Sequence, residues 1–201
     1  MPEQTATPKL TERFDEALGY ASQLHRTQTR KGGDIPYLGH LLSVASLVIE
    51  GGGTETQAIA ALLHDAAEDQ GGEATLAEIR EKFGDDVATI VGECSDTFEE
   101  PKPPWQERKK KYVDHLGYTS EATILVSLCD KVDNARAILR DYRDLGPALW
   151  TRFSMHDPQQ HLWYYRSLLD VYRARHSGWL VDELGRVLDE LEGAVAAAPK
   201  T

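Results

Sequence analysis

The strongest constraint on the fold lies in residues 60–69, which read AALLHDAAED. This apolar run carries the pair His64-Asp65 and, one helical turn later, the pair Glu68-Asp69. In a continuous helix, His64 shares a face with Glu68, and Asp65 shares a neighbouring face with Asp69. Burying such groups without partners is costly. A divalent ion would remove that cost, and imidazole with carboxylate suits Mn, Fe or Zn. The alternative is an acidic helix end that faces water.

Helical periodicity and capping signals recur along the whole chain, and no strand, hairpin or repeat pattern stands out. The sequence therefore predicts an all-α fold of about eight to ten helices. Five helices are predicted in the first half of the chain: from Thr11 to about Gln28, from His40 to Glu50, from Thr54 to about Asp69, from Thr75 to Phe83, and one that carries Val87 and Cys94. Four follow: from Trp105 to Leu116, from Ser120 past Leu139, from Asp157 past Tyr172, and from about Gly178 onward.

The length and hydropathy of the chain favour one domain. Its 201 residues can bury a sizeable core. We expect a disordered segment over residues 1–10, a folded domain over 11–197 and a tail over 198–201.

No apolar stretch is long enough to span a bilayer, and the polar start does not resemble a signal peptide, so the sequence predicts a cytoplasmic protein.

Charge narrows the class of partner. The chain has 22 basic and 33 acidic residues, a net charge of −11, which argues against a nucleic-acid or membrane partner. Local basic islands are therefore informative, namely Arg26 with Arg30-Lys31, and residues 108–111. Cations beside a metal site are typical of a small phosphorylated ligand. The alternative for the second island is a solvated helix end.

Polar residues that interrupt apolar helical faces form a candidate ligand set. They are His40, then His64-Asp65, then Asp130. Two imidazoles and two carboxylates leave positions open on a six-coordinate ion, so water and substrate could bind there. Asp133 lies three residues after Asp130 and is an alternative ligand.

The order H…HD…D resembles the HD superfamily of metal-dependent phosphohydrolases. A narrower resemblance is to the hydrolase domain of the RelA/SpoT homologues, in particular the stand-alone small alarmone hydrolases. It covers residues 14 to about 175 and implies a single compact HD-type domain. Its spacing Asp-Lys-x-x-Asn favours Asp130 over Asp133 as the ligand. Four motifs carry it: His25-Arg-x-x-x-Arg-Lys31 with Pro36-Tyr-x-x-His40, His64-Asp-x-x-Glu-Asp69, Glu107-Arg-Lys109, and Asp130-Lys-x-x-Asn134-x-Arg136.

The resemblance implies a Mn²⁺-dependent 3′-pyrophosphohydrolase, in the phosphoric diester hydrolase class, that acts on guanosine tetra- or pentaphosphate. It implies that His40, His64, Asp65 and Asp130 hold the ion. Glu68 and Asp69 would orient and deprotonate the attacking water. The implied substrate-binding residues are Arg30, Lys31, Asn134, Lys109 and Tyr164, the last of which is equally consistent with a core aromatic.

One departure from the family pattern leaves the base preference open. Ala137 stands where relatives commonly have a polar residue. An adenine analogue is therefore an alternative substrate. Two further alternatives are a phosphohydrolase of another nucleotide, such as a 5′-nucleotidase, and a non-catalytic module that binds an alarmone. We expect these residues to contain no synthetase domain, and the sequence leaves the oligomeric state open.

Overall fold

The computed structural model describes residues 10–99 and 101–198 of the protein. These residues form ten α-helices and one 3₁₀ helix, and their one strand-like pairing is an isolated antiparallel bridge between Thr29 and Pro36. The predicted all-α class is confirmed. The helices are α1 (Glu12–Leu24), α2 (Leu38–Glu50), α3 (Glu55–Leu63), α4 (Ala66–Gln70), α5 (Gly72–Phe83), α6 (Asp85–Cys94), α7 (Trp105–Leu116), α8 (Glu121–Leu145), the 3₁₀ helix (Gly146–Arg152), α9 (Pro158–Arg175) and α10 (Trp179–Ala197).

The predicted disordered segment and tail lie outside the described residues, apart from residues 10 and 198. The domain bounds 11–197 stay a prediction. Among the described helices, none is long and apolar enough to cross a membrane.

Four predicted helix starts are confirmed by side-chain caps. The hydroxyls of Thr11 and Ser120 and the carboxylate of Asp157 each accept a hydrogen bond from a backbone N–H in the first turn. Thr54 forms a full capping box with Gln57. Each cap satisfies an N–H that has no partner inside its helix, so these short polar residues fix where the helices begin.

The single helix predicted from Thr54 to about Asp69 is wrong, because it breaks at the His-Asp pair. α3 ends at Leu63, and α4 begins at Ala66. The His64 Nδ1–H lies 2.8 Å from the carbonyl oxygen of Ala61, the oxygen that Asp65 N–H would reach in a continuous helix. The imidazole thus takes the place of a backbone donor, and the chain turns where the ligand candidates lie.

Three other boundaries differ from the prediction. α1 ends at Leu24 rather than near Gln28. α5 begins at Gly72, so Thr75 lies inside it and donates its hydroxyl to the carbonyl of Gln70 instead of capping. The 3₁₀ helix that follows Gly146 was not predicted.

α8 is the central helix of the fold. It packs against α2, α3, α6, α9, α10 and the 3₁₀ helix, and its apolar side chains lie in the main core. Asp130 interrupts this apolar face with a carboxylate that is only 6% exposed. A charge in such a position must have partners, and α2 and α3 supply them.

Candidate active site

Four predicted ligands from three parts of the chain converge beside α8. His64 Nε2 lies 3.0 Å from Asp65 Oδ2 and 3.5 Å from Asp130 Oδ1. His40 Nε2 lies 3.2 Å from Asp130 Oδ1 and 3.7 Å from Asp65 Oδ2. One ligand atom from each of His40, His64 and Asp65 falls within 4.8 Å of the others. The structure therefore brings all four residues together.

The donor set of this cluster fits a divalent metal ion. Both imidazoles are buried, and neither Nε2 atom has a hydrogen-bond partner. Their Nδ1 atoms are anchored elsewhere, His40 on Asp133 at 2.6 Å and His64 on Ala61 at 2.8 Å. Anchoring Nδ1–H fixes the tautomer in which Nε2 carries a lone pair, as metal-ligating histidines require.

Electrostatics keeps the cluster acids ionised. Burial raises the pKa of Asp65, but the charge of His64 and the close contacts with both imidazoles hold that pKa well below its usual range. Burial lowers the pKa of His40, but the nearby carboxylate of Asp130, the hydrogen bond to Asp133 and the carboxylate of Asp65 outweigh it and raise the pKa to about 9. In the metal-free protein the acids hold a proton on His40, which a bound cation has to replace.

Asp133 orients the cluster from outside it. Its Oδ2 accepts from His40 Nδ1 and from Arg30 Nη2, at 2.6 Å and 2.8 Å, and its Oδ1 accepts from Ser43. The carboxylate thus contacts the anchored nitrogen of His40 and not the free one. This position suits an outer-shell residue, and Asp130 remains the better ligand candidate.

We expect Asp133→Ala to weaken divalent-metal binding by roughly 10- to 100-fold, because His40 loses the acceptor that sets its tautomer. Calorimetric titration of the metal-free protein with Mn²⁺ measures this. Asp144→Ala, an exposed acid on the same helix, is the matched control. Equal affinities for Asp133→Ala and the wild type would contradict the assignment.

Tyr37 and Lys131 each hold one of the cluster acids, although neither was predicted to have a role. The Tyr37 hydroxyl donates to Asp65 Oδ2. Burial, followed by the charge of Asp65, raises the Tyr37 pKa far above its usual value, so the hydroxyl keeps its proton. Lys131 Nζ binds Asp130 Oδ2, which leaves Oδ1 facing the imidazoles. Tyr37 lies in the motif that ends at His40, and Lys131 follows Asp130 in another family motif. Their places in these motifs were the sequence feature that could have indicated a role.

Glu68 lies at the wall of the cavity, held at both carboxylate oxygens. The backbone N–H of Asp96 donates to Oε2 at 2.9 Å, and Lys102 Nζ donates to Oε1 at 3.0 Å. Its side chain is 18% exposed. Lys102 lies among Pro101, Pro103 and Pro104, immediately before α7, so this proline-rich segment contacts the predicted catalytic pair directly.

Asp69 lines the same cavity from the next position on α4. Its Oδ2 accepts a hydrogen bond from Gln28 Nε2 at 2.7 Å. Burial, and then the nearby charge of Asp65, raises the Asp69 pKa above its usual value. A carboxylate with a raised pKa is a stronger proton acceptor, which suits a general base. Gln28 also accepts a bond from His25 Nδ1 at 2.6 Å, so His25 positions the residue that holds Asp69.

A cavity of about 500 Å³ opens over these acids. All five predicted substrate-binding residues line it. Arg30 donates hydrogen bonds to Asn134 Oδ1 at 2.9 Å and to Asp133 Oδ2 at 2.8 Å. Arg30 and Asn134 therefore lie next to the metal-ligand cluster. Lys109 lies 5.0 Å from the centre of the Tyr164 ring and 3.2 Å from Asp96 Oδ2. Tyr164 is buried and also lines the cavity, so its two interpretations are compatible.

Fold and cluster together define the class of protein. The chain belongs to the HD domain family, whose sequence profile matches residues 17–154. Within that family it is similar to the stand-alone alarmone hydrolases, and the predicted resemblance is confirmed.

Three relatives illustrate this. Guanosine-3′,5′-bis(diphosphate) 3′-pyrophosphohydrolase MESH1 of Xenopus tropicalis is 40% identical over 139 residues, 68% of this chain and 73% of that protein. The guanosine-3′,5′-bis(diphosphate) 3′-pyrophosphohydrolase of Aquifex aeolicus is 34% identical over 133 residues, 65% of this chain and 18% of that protein. The solved structure of a metazoan SpoT orthologue that hydrolyses ppGpp has a TM-score of 0.75 and 28% identity, and the match covers 91% of this chain and 97% of that one.

Proposed function

We propose that this protein hydrolyses the 3′-pyrophosphate of guanosine tetra- or pentaphosphate, releasing pyrophosphate and the 5′-phosphorylated nucleoside. One observation carries the proposal. The cluster of His40, His64, Asp65 and Asp130 lies beside a second acidic pair, Glu68 and Asp69, in a cavity lined with cations. The relatives named for this activity support the same substrate. The cytoplasmic location stays a prediction.

In this proposal the four-residue cluster would hold one divalent ion, and Mn²⁺ is our choice among the ions that suit imidazole and carboxylate. A bound ion of this kind lowers the pKa of water and offsets the charge of phosphate oxygens. The chain supplies the rest. Asp69, with its raised pKa, accepts the proton of the attacking water. Glu68, fixed by Asp96 and Lys102, orients that water.

The cations of the cavity would bind the nucleotide. Arg30 offers a flat guanidinium beside Asn134, and Lys31 lies next to it at the rim. The Lys109 side chain is 20% exposed, and its partial burial lowers its pKa, an effect that Asp96 opposes. A partly buried ammonium close to Glu68 can neutralise a phosphate that approaches the catalytic pair.

A product assay tests the proposal. Purified protein is incubated with guanosine 3′,5′-bis(diphosphate) and with its adenosine analogue, each with Mn²⁺ or with a chelator, and the products are separated by anion-exchange chromatography. We expect pyrophosphate and the nucleoside 5′-diphosphate, only with metal. Hydrolysis of simple mononucleotides in preference to both substrates would favour a 5′-nucleotidase instead.

Metal should also stabilise the fold, because the two buried Nε2 atoms gain a partner. At 100 to 1,000 times its dissociation constant, a ligand of the native state contributes about 3 to 4 kcal/mol. For a domain of this size that corresponds to a rise in Tm of roughly 5 to 15 °C. Thermal melts with Mn²⁺ and with a chelator measure it, and identical melting curves would show that the cluster binds no ion.

A further inference from the structure

The cavity has a second charged end that the proposed chemistry does not use. There Arg140 and Arg152 share one carboxylate, that of Asp141. Arg140 Nη2 lies 2.8 Å from Asp141 Oδ1, and Arg152 Nη1 lies 3.3 Å from Asp141 Oδ2. All three line the cavity. Two guanidinium groups against one carboxylate leave a net positive charge at this end.

α8 sets the distance between this end and the metal cluster. Asp130, Asn134, Ala137 and Asp141 recur every three or four residues and line the same cavity, so they share one face of the helix. From Asp130 to Asp141 is 11 residues, about 16 Å at 1.5 Å per residue. On α8 the residues that line the cavity between Asn134 and Arg140 are Ala137 and Ile138, and both are apolar.

Arg152 is also packed against the loop that carries Arg30 and Lys31. A Cβ atom on Gly32 would lie 2.3 Å from Arg152 Cδ, and Gly32 has a φ of +77°. The positive φ favours glycine here, and the arginine stem occupies the space that a side chain at this position would take. The stem packs against this loop, and the Arg152 side chain remains 28% exposed at the cavity.

We infer that Arg152 is a specificity-determining residue that binds the 5′-phosphoryl group of the substrate. The inference rests on the proposed function, because it places the 3′-pyrophosphate at the metal cluster. The order of chemistry along α8 then matches the substrate: cation and acids for the 3′ end, an apolar section for the nucleoside, and a cationic end for the 5′-phosphates. A guanidinium pairs with phosphate in a bidentate manner, which suits this role.

The test compares two substrates, guanosine 3′,5′-bis(diphosphate) and guanosine 3′-diphosphate, which lacks 5′-phosphates. The readout is the ratio of their kcat/KM values for pyrophosphate release. Arg152→Met keeps an apolar stem against Gly32 but removes the charge. We expect it to reduce the preference for the 5′-phosphorylated substrate by about tenfold, chiefly through KM. Arg152→Lys keeps the charge and should retain most of the preference.

Two further variants sharpen the test. Arg143→Met changes an arginine on α8 that pairs with Glu190 and does not line the cavity, so the substrate ratio should stay at the wild-type value. Asp141→Asn removes the acid that competes for Arg152, so the preference for the 5′-phosphorylated substrate should increase.

The outcomes separate the two proposals. Equal losses on both substrates in Arg152→Met would mean that Arg152 only supports the loop, and the inference would be overturned. A wild-type enzyme that shows no preference between the substrates would overturn it as well. If the wild type released no pyrophosphate from either substrate, the proposed function itself would fail.

Discussion

Glu68→Gln is expected to lower kcat by about 10²- to 10⁴-fold while the protein still binds one divalent ion. The amide has the shape of the carboxylate but lacks the charge that orients the attacking water, so proton transfer from that water to Asp69 is no longer aligned. Its carbonyl oxygen can still accept the bond from Asp96 N–H, so the local structure should persist. Steady-state kinetics with guanosine 3′,5′-bis(diphosphate) and a parallel Mn²⁺ titration measure both quantities.

The control for this variant is Glu73→Gln, which changes an exposed acid on α5 in the same way. It should leave kcat at the wild-type value. Wild-type turnover in Glu68→Gln would remove Glu68 from the reaction. Loss of the ion together with turnover would instead make Glu68 a ligand.

His64→Ala should abolish metal binding and reduce activity to background. His64 is 2% exposed, and His40 and His64 are the two imidazoles of the cluster, so its loss leaves His40 as the one nitrogen ligand there. The loss of affinity should exceed the roughly 10- to 100-fold expected for Asp133→Ala, because a ligand rather than its support is removed. Metal content after gel filtration, read by atomic emission, measures it.

Two control variants distinguish loss of the metal ion from misfolding. His115→Ala removes an exposed imidazole on α7 and should leave metal content unchanged. Asp65→Asn is nearly isosteric and should lose the ion while its far-UV circular dichroism stays that of the wild type. A His64→Ala protein that folds and retains stoichiometric Mn²⁺ would contradict the ligand assignment.

Much of the site was predictable because its residue types are rare in apolar helical patterns. His40, His64 and Asp130 stand out against the leucines, alanines and valines around them, and burial leaves such groups few roles other than ligation or a satisfied hydrogen bond. Helix starts were predictable for the same local reason, since Thr54 and Ser120 cap by bonding to their own first turns.

The wrong helix boundaries, at Thr75 and at His64, arise where a side-chain donor binds a backbone carbonyl oxygen. Thr54 and Thr75 begin the same capping pattern, but Gly71 turns the chain earlier and the Thr75 hydroxyl bonds to the preceding helix. Likewise, His64 replaces a backbone donor at Ala61 and ends α3. Sequence spacing alone does not predict whether a side chain or a backbone N–H group forms the hydrogen bond to a given carbonyl oxygen.

Contacts between residues that are far apart in the chain could also not be predicted from the sequence. The family spacing favoured Asp130 as the ligand, but the hydrogen bond of Asp133 to the other nitrogen of His40 depends on how α2 packs against α8. Arg152 lies on a 3₁₀ helix with no clear pattern, and its contact with Gly32 joins residues far apart in the chain.

The most direct measurement is hydrolysis of guanosine 3′,5′-bis(diphosphate) by the Mn²⁺-loaded protein in ¹⁸O-enriched water, followed by ³¹P NMR. Attack of water on the phosphorus bonded to the 3′ oxygen predicts one labelled oxygen in the released pyrophosphate and none in the guanosine 5′-diphosphate. Release of orthophosphate, or label in the nucleotide, would contradict hydrolysis of the 3′-pyrophosphate at this cluster.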